Sequence, residues 1–467
     1  MTTHSENARQ WVHVGSGLFA LLLRVLNGWQ SAALAAFALV FNALLLPRLG
    51  GRRLYRPEDE ARGFPLGILL YPFSVLLLTL AFPSRLDIAA AAWGILALGD
   101  GAATLVGRRV TTINAETAEH AEKHLSADSA SSAFYRRRLP WNADKSIAGT
   151  LAFIICGSVA GVALAWWVRP AITPMPPLTF TIAAPIVAAL MAALVETIPV
   201  RLDDNVSVPA TAAGALWIAT LMTAATVAGA RDAMVAALPW AIGVNAITGW
   251  LGYRARTVSR SGALAGALVG AIIYVGGGAG AWVLLLVTFL AASITSRLGL
   301  ARKERLGIAE ARGGRRGAGN AIANVGVAAV AAIAIVTTPY AALSLVALVA
   351  ALTAGGSDTV ASEIGKAWGR STFLVTTFSR VTPGTAGAMS LEGTAAGLAA
   401  AFALAAIGAA LGLIPAAAIL AVVVGATAGA LVESALGATL EGPGILNNDM
   451  LNFINTAVAA AVALAIA

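Results

Sequence analysis

The sequence predicts an all-α, polytopic membrane protein of about 15 transmembrane helices, and three observations predict it. Apolar residues make up 58% of the 467 positions and charged residues only 12%, against about 25% charged in an average soluble domain. The apolar residues fall in runs long enough to span a bilayer, which takes about 20 residues per helix. The basic residues cluster on alternate sides of those runs. This composition excludes a soluble globular protein, and it is far too apolar for a disordered chain. The single cysteine, Cys156, excludes an intrachain disulfide framework and any thiolate metal cluster.

The runs lie near 11–27, 29–49, 64–82, 86–107, 147–168, 179–198, 207–229, 232–251, 261–278, 280–298, 317–337, 340–358, 388–411, 413–433 and 450–466. Alanine and glycine dominate them, which suits close helix packing in lipid. The run at 340–358 is the weakest, because Gly355 and Gly356 interrupt it. Residues 1–10 are polar, lack the pattern of a signal peptide and read as a cytoplasmic tail. With that end inside, 27 of the 31 Lys and Arg residues fall on inside segments, leaving Arg24, Arg85, Arg169 and Arg231. The expected protein is thus a multi-pass membrane protein of the bacterial inner-membrane type. Its N-terminus is cytoplasmic and its C-terminus outside.

Five short segments recur in order. Glu60–Gly63 returns as Glu310–Gly313, Gly99–Gly107 as Ser357–Gly365, and Ser146–Thr150 as Ser390–Thr394. Leu194–Thr197 returns as Leu431–Ser434, and Asp203–Asn205 as Asn447–Asp449. This order predicts a tandem repeat of seven spans each, joined by one linker span. Seven is odd, so the extra span restores the direction of the second copy. The repeat is therefore parallel, and every motif pair faces the cytoplasm. The inverted repeats common in transporters would place equivalent motifs on opposite faces. The expected division is residues 1–230, a linker span at 231–256, and residues 257–467.

Carboxylates within spans are expensive and point to function. Asp100 lies eight residues before Arg108, and Asp358 eight before Lys366, roughly 12 Å along a helix. An anion beneath a cationic collar suits a divalent metal that bridges to phosphates, as Mg²⁺ does with one or two carboxylates. The adjacent glycines suggest a locally opened helix at both aspartates. Glu196 and Glu433, near the inner ends of their spans, are further candidate metal ligands, as are Asp449 and the added carboxylate Glu363. Asp203, Asp204 and Asn205 follow Glu196, and Asn447 and Asn448 precede Asp449. Lys145 with Ser146 and Gly149, and Ser390 with Gly393, offer helix N-termini that a phosphate can approach. Lys366, Arg370 and Arg380 supply charge near the second of these. Arg62 and Arg312 are repeat-related candidates for clamping phosphate.

Other signals carry less. Gly15-Ser16-Gly17 with Ala20 fits a dinucleotide pattern but has no preceding strand. No Walker A motif is present. His120 and His124 lie in a polar stretch, 111–135, that the second half lacks. His13 is a lone histidine in an apolar run and reads as structural.

Leu98–Arg109, Leu139–Asn142 with Asp144–Ser146, and Glu196 with Asp203–Asn205 resemble the phytol kinase and dolichol kinase family. That family in turn is similar to phosphatidate cytidylyltransferases. Ser259–Ala263, Arg315–Asn324, Asp358–Gly365, Thr385–Gly393 and Leu436–Asn455 resemble the phytyl-phosphate kinase (transmembrane protein 19-like) family. The resemblance implies two kinases in one chain, phosphorylating a prenyl alcohol to its monophosphate and then its diphosphate. It implies CTP as donor and Mg²⁺ (or Mn²⁺) as cofactor. It implies prenyl alcohols, prenyl phosphates and a nucleoside triphosphate as partners at the cytoplasmic face, and no nucleic acid. Carried onto this sequence, Asp100, Asp203, Asp204 and Asp358 would be catalytic. Arg62, Arg108, Lys145, Ser146, Gly149, Asn205, Arg312, Arg315, Lys366, Ser390, Gly393 and Asn448 would bind nucleotide or phosphate. An alcohol needs help losing its proton, whereas a phosphate nucleophile is already ionised. The first copy has Asp203 and Asp204 where the second has Asn447 and Asn448, so one of these aspartates is expected to deprotonate the alcohol. The alternatives are a lipid-phosphate cytidylyltransferase and an ion-coupled transporter.

Overall fold

The apolar runs fold as helices because only helices satisfy every backbone group of a spanning segment internally. A computed structural model describes residues 6–49, 55, 59–60, 63–109, 138–139, 142–197, 203–308 and 315–467. Arg62, Arg312 and the 111–135 stretch lie outside these. The chain divides into two compact units, Met1–Thr220 and Leu221–Ala467.

The first unit holds α1 (Glu6–Ser16), α2 (Gly28–Val40), α3 (Leu66–Ala81) and α4 (Leu86–Gly94). After α4 a π-helical turn, Ile95–Asp100, carries the helix on to Arg109. A short antiparallel pair follows, β1 (Arg138–Leu139) with β2 (Asn142–Ser146). Then come α5 (Ile147–Val168), α6 (Leu178–Thr197) and α7 (Asp204–Leu221). The second unit holds α8 (Ala224–Arg254), α9 (Arg260–Arg297), the short α10 (Leu300–Arg305), α11 (Ala318–Thr337) and α12 (Ala341–Trp368). A second antiparallel pair, β3 (Thr372–Leu374) with β4 (Ala388–Ser390), precedes α13 (Leu391–Ala410), α14 (Ile419–Leu436) and α15 (Asn448–Ile466).

Among the described residues, 11 helices are long and apolar enough to cross a membrane, against fifteen expected runs. The differences have local causes. The run at 11–27 is α1 followed by a 3-10 stretch, Gly17–Arg24. The run at 64–82 gives only the 16 residues of α3. The run at 207–229 is cut where Thr223 caps α8, its side chain accepting from the Thr226 backbone N–H at 3.1 Å. The runs at 261–278 and 280–298 join as α9, which changes direction at Gly278, where φ is +76°. Trp282 donates to Asn245 Oδ1 at 3.0 Å, and a side chain at Gly270 would collide with the same oxygen. Twelve residues of straight helix would separate those positions by about 18 Å, so the chain doubles back at Gly278. The expected linker span is part of α8, which packs on α9 within the second unit.

Gly355 and Gly356 do not interrupt their run. The helix is continuous from Ala341 to Trp368. A side-chain carbon at Gly356 would lie 2.7 Å from Thr288 Cγ2 and 2.8 Å from Leu404 Cδ1. These glycines let neighbours approach rather than bend the backbone. The opened helix expected at both aspartates therefore occurs at Asp100, which ends a π-helical turn, and not at Asp358.

Each unit is built around one helix buried on all sides. In the first it is α4, where Leu86–Ala97 is entirely buried. In the second it is α12, buried throughout Val346–Ser357. A helix apolar all round belongs at the centre of a bundle. Each of these helices carries its unit's aspartate, Asp100 or Asp358. Small residues bring the neighbours close. Gly161 of α5 meets Ile95, and Gly397 of α13 meets Ala361 and the Ser357 carbonyl.

The same local device recurs in both units. A strand ends at a serine that caps the next helix: Ser146 Oγ accepts from Gly149 N at 3.1 Å, and Ser390 Oγ from Gly393 N at 3.0 Å. Each capped glycine lies against the carbonyl three residues past the aspartate, Ala103 O and Ala361 O. A methyl group at Gly393 would stand 2.5 Å from Ala361 O, whereas one at Gly214 would meet nothing within 4 Å. Gly393→Ala is predicted to destabilise the fold by about 1–3 kcal/mol, as overpacking does. Gly214→Ala is predicted to be neutral or to stabilise by up to about 1 kcal/mol through helix propensity. Thermal unfolding of the two variants in detergent checks both signs.

Candidate functional site

In the first unit, three helices bring carboxylates to one point. Asp100 projects from α4, Glu196 from the end of α6 and Asp204 from the start of α7. One oxygen of each lies within 4.8 Å of the others. Lys145, at the end of β2, reaches into the cluster. Its Nζ is 2.7 Å from Glu196 Oε1 and 3.0 Å from Asp204 Oδ2. Asn142 ties β2 to α6 by donating to the Thr197 carbonyl at 3.1 Å. Burial disfavours the Lys145 charge, yet Asp204 and Glu196 hold its ammonium above the ordinary lysine pKa. While Glu196 and Asp204 are ionised, the lysine's contribution is whole below its unfolded pKa of about 10.4. It is lost only as pH rises through the raised folded value.

Lys145 meets two of the three acids, Glu196 and Asp204. Glu196 Oε2 is buried and has no hydrogen-bond partner among the described residues. A buried anion without a partner is costly, so the donor set fits a divalent cation held by Asp100, Glu196 and Asp204. His13 stands 3.6 Å from Asp100 Oδ2. Its ring meets Tyr71 edge-on, and the Tyr71 hydroxyl accepts from Trp93 Nε1 at 2.8 Å.

Other predicted residues have different surroundings. Asp203 accepts from Asn205, from the backbone N–H at 3.0 Å and from Nδ2 at 2.8 Å. It is not in the carboxylate trio. Lys145, expected at a phosphate, is paired here with Glu196 and Asp204. Ser146 and Gly149 form the helix cap beside α4. Arg108 is exposed at the end of that helix. Sequence reasoning missed Arg9, whose guanidinium lies against Gly67 together with Asp203 and Asn205.

In the second unit, a polar cavity of about 310 Å³ opens between α12, the loop before β4 and α14. Asp358, Glu433 and Glu441 line it with Lys366, Ser390 and Asn448. Glu441 ends a π-helical turn, Gly437–Glu441, the kind of helix defect that recurs at functional sites. It was not among the predicted residues, although it stands eight positions after Glu433. Glu433 Oε2, like Glu196 Oε2, is buried without a partner among the described residues. The loop Pro383–Ala388 forms one wall, with Gly384 and Gly387 at positive φ. A side chain at Gly387 would stand 2.3 Å from the Ser434 carbonyl.

Glu363 does not line this cavity. Its carboxylate is buried between Lys303, brought in by α10, and Lys366, which is 3.2 Å away. Lys303 also donates to the Ser296 carbonyl at 2.7 Å. Asp449 sits in the first turn of α15, where a negative charge suits the helix dipole. Arg315, Arg370 and Arg380 are exposed and lie off the cavity wall.

The description "Integral membrane protein DUF92" matches residues 243–460, which include every residue of the second site. An uncharacterized membrane protein of Synechocystis is 41% identical over 202 residues, covering 43% of this chain and 78% of the relative. This chain belongs to the DUF92 family of integral membrane proteins. Another relative is Protein VTE6, chloroplastic, of Arabidopsis thaliana, 37% identical over 44% of this chain and 64% of that protein. Probable phytol kinase 1, chloroplastic, of Glycine max is 26% identical over 43% of this chain and 63% of that protein. The chain spans less than two thirds of either plant protein. No solved structure matches. The DUF92 chain is thus a multi-span membrane protein with a phytol-kinase-like relationship.

Removing Lys145 takes away the cation that meets Glu196 and Asp204, and stripping one partner from a buried pair costs about 3–5 kcal/mol. Lys145→Met is therefore predicted to lower the thermal midpoint in the presence of chelator. Millimolar Mg²⁺ or Mn²⁺ is predicted to recover more stability in this variant than in the wild type. Thermal scans with and without the metals check this.

Proposed function

We propose that the protein is a bifunctional prenol and prenyl-phosphate kinase. The observation that carries the reading is the Asp100–Glu196–Asp204 cluster in a chain related to phytol kinase. The recurring serine-capped helices and the acidic cavity around Asp358 support a second, repeat-related site. Unit one would phosphorylate the alcohol, and unit two the resulting monophosphate. CTP is the proposed donor and Mg²⁺ the proposed cofactor. Both sites are assigned to the cytoplasmic face, a reading that the recurring motifs and the distribution of basic residues in the sequence support.

Transfer of a phosphoryl group depends mainly on positioning and charge neutralisation. The alcohol oxygen attacks the γ-phosphorus, the bond to the β,γ-bridging oxygen breaks, and a nucleoside diphosphate leaves. The hydroxyl proton passes to the acidic cluster. Asp204 suits this role better than Asp203, because it stands in the acidic cluster, whereas Asp203 lies outside it, bonded to Asn205. In unit two the attacking phosphate is ionised at neutral pH, so no equivalent base is required. Asp358 and Glu433 would hold the cation, Lys366 would face the transferred phosphoryl group, and the Pro383–Ala388 loop would lie along the nucleotide. When bound, the divalent ion supplies neutralisation of phosphate charge.

Purified protein with Mg²⁺, γ-labelled CTP and phytol or geranylgeraniol tests the proposal. Wild type is expected to yield labelled diphosphate. Asp358→Asn should stop at monophosphate. Asp100→Asn should fail on the alcohol yet convert supplied monophosphate. Absence of lipid label with CTP, ATP and GTP would overturn the reading. Transfer of the CMP moiety instead would assign a cytidylyltransferase.

A further inference from the structure

The second unit holds another cavity, of about 440 Å³, between α8, both arms of α9, α11 and α12. This volume is within the range of about 300–1,000 Å³ typical of small-molecule sites. Its wall is mostly apolar, and small residues open it: Gly249, Gly262 and Gly266 all line it. The polar groups are few and ordered. Arg316, Asn320 and Asn324 recur every four residues along α11 and its approach, so they share one helical face. Asn324 Oδ1 is buried with no partner among the described residues.

The two ends of the cavity differ. Arg316 marks one end, where its backbone pairs with Thr257 and Ser259 and its guanidinium lies 5.9 Å from the centroid of the Phe289 ring. Trp282 closes the other, held by its hydrogen bond to Asn245. Asn245 and Arg254, the last residue of α8, are nine residues apart, about 14 Å along the helix axis, and Thr257, three residues further on, accepts from the Arg316 backbone N–H. Thr359 lines this cavity, while its neighbour Asp358 lines the polar one. One stretch of α12 thus borders both.

We propose that this cavity holds the prenyl phosphate, with its phosphate beside Arg316 and Asn320 and its single apolar tail running to Trp282, which limits chain length. The inference rests on the kinase reading for the identity of the ligand. Its geometry fits an amphiphile with one anionic end and a tail that must not reach water. The stretch of α12 shared by the two cavities, Asp358 and Thr359, then brings lipid phosphate and nucleotide together at one helix turn.

Binding without nucleotide tests this separately from catalysis. Labelled geranylgeranyl phosphate would be measured on the full chain in detergent, with geranyl and farnesyl phosphates as competitors. A side-chain β-carbon at Gly266 meets nothing within 4 Å, and Gly266 lines the cavity, so the side chain of Gly266→Leu starts without a clash and takes up cavity space. It should weaken geranylgeranyl phosphate binding by at least about tenfold, affect geranyl phosphate less, and leave CTP binding unchanged. Gly243→Leu, at an open position off the cavity wall, should bind as wild type does. Trp282→Ala should shift preference toward longer chains. Unchanged binding in Gly266→Leu, no binding in wild type, or equal competition by a bulk phospholipid would overturn the inference. Binding that depends on Gly266 but leads to no phosphoryl transfer would leave the lipid site standing and remove the kinase reading.

Discussion

A carboxylate buried among lipid-embedded helices has to meet a cation, and that requirement organises both units. Glu196 and Asp204 meet Lys145, which a short strand delivers from outside the bundle. Glu363 meets Lys303 and Lys366, the first delivered by a six-residue helix. In each case a small peripheral element exists where a charge must be carried inward. The compensation is incomplete in a telling way. Glu363 is fully paired by two lysines and stands off the cavity wall. Among the described residues, Glu196 and Glu433 each keep a buried oxygen without a hydrogen-bond partner. The first arrangement holds helices together, and the second retains capacity for a further cation.

Close packing makes the arrangement rigid. Asp100 and Asp358 stand on the most buried helix of their units, so their positions are fixed by neighbours on every side. The capped serines repeat this logic one layer out. Ser146 and Ser390 each start a helix whose first glycine lies on the carbonyl three residues past the aspartate. Without a side chain at that glycine, the helix N-terminus can approach the acidic centre. Each site thus combines carboxylates fixed on separate packed helices with a nearby lysine.

Much of this was legible in the sequence, for physical reasons. Long alanine- and glycine-rich runs fix helices by hydropathy alone, and isolated acids inside them stand out by their cost. Asp100, Glu196, Asp204, Asp358 and Glu433 were all visible in this way. The continuity of α12 was not, because a glycine pair reads equally as a helix break or as a packing face. Only the presence of Thr288 and Leu404 decides between them. The roles of Lys145 and Glu363 were hidden because their partners are 51 and 60 residues away. His13 was seen but read as structural, and Arg9 was seen only as an inside charge. Their placement near Asp100 and Asp203 depends on how α1 docks, which no local pattern encodes. Glu441 was missed because its approach to the cavity depends on a π-helical turn.

The central claim is that two acidic centres, one per unit, each bind a divalent cation. Mn²⁺ binding to the purified full-length chain, followed by electron paramagnetic resonance, tests it most directly. The account predicts two bound ions per chain, reduced to one by either Asp100→Asn or Asp358→Asn and to none by both together. Binding that is absent, or that is unchanged in the double variant, would contradict it.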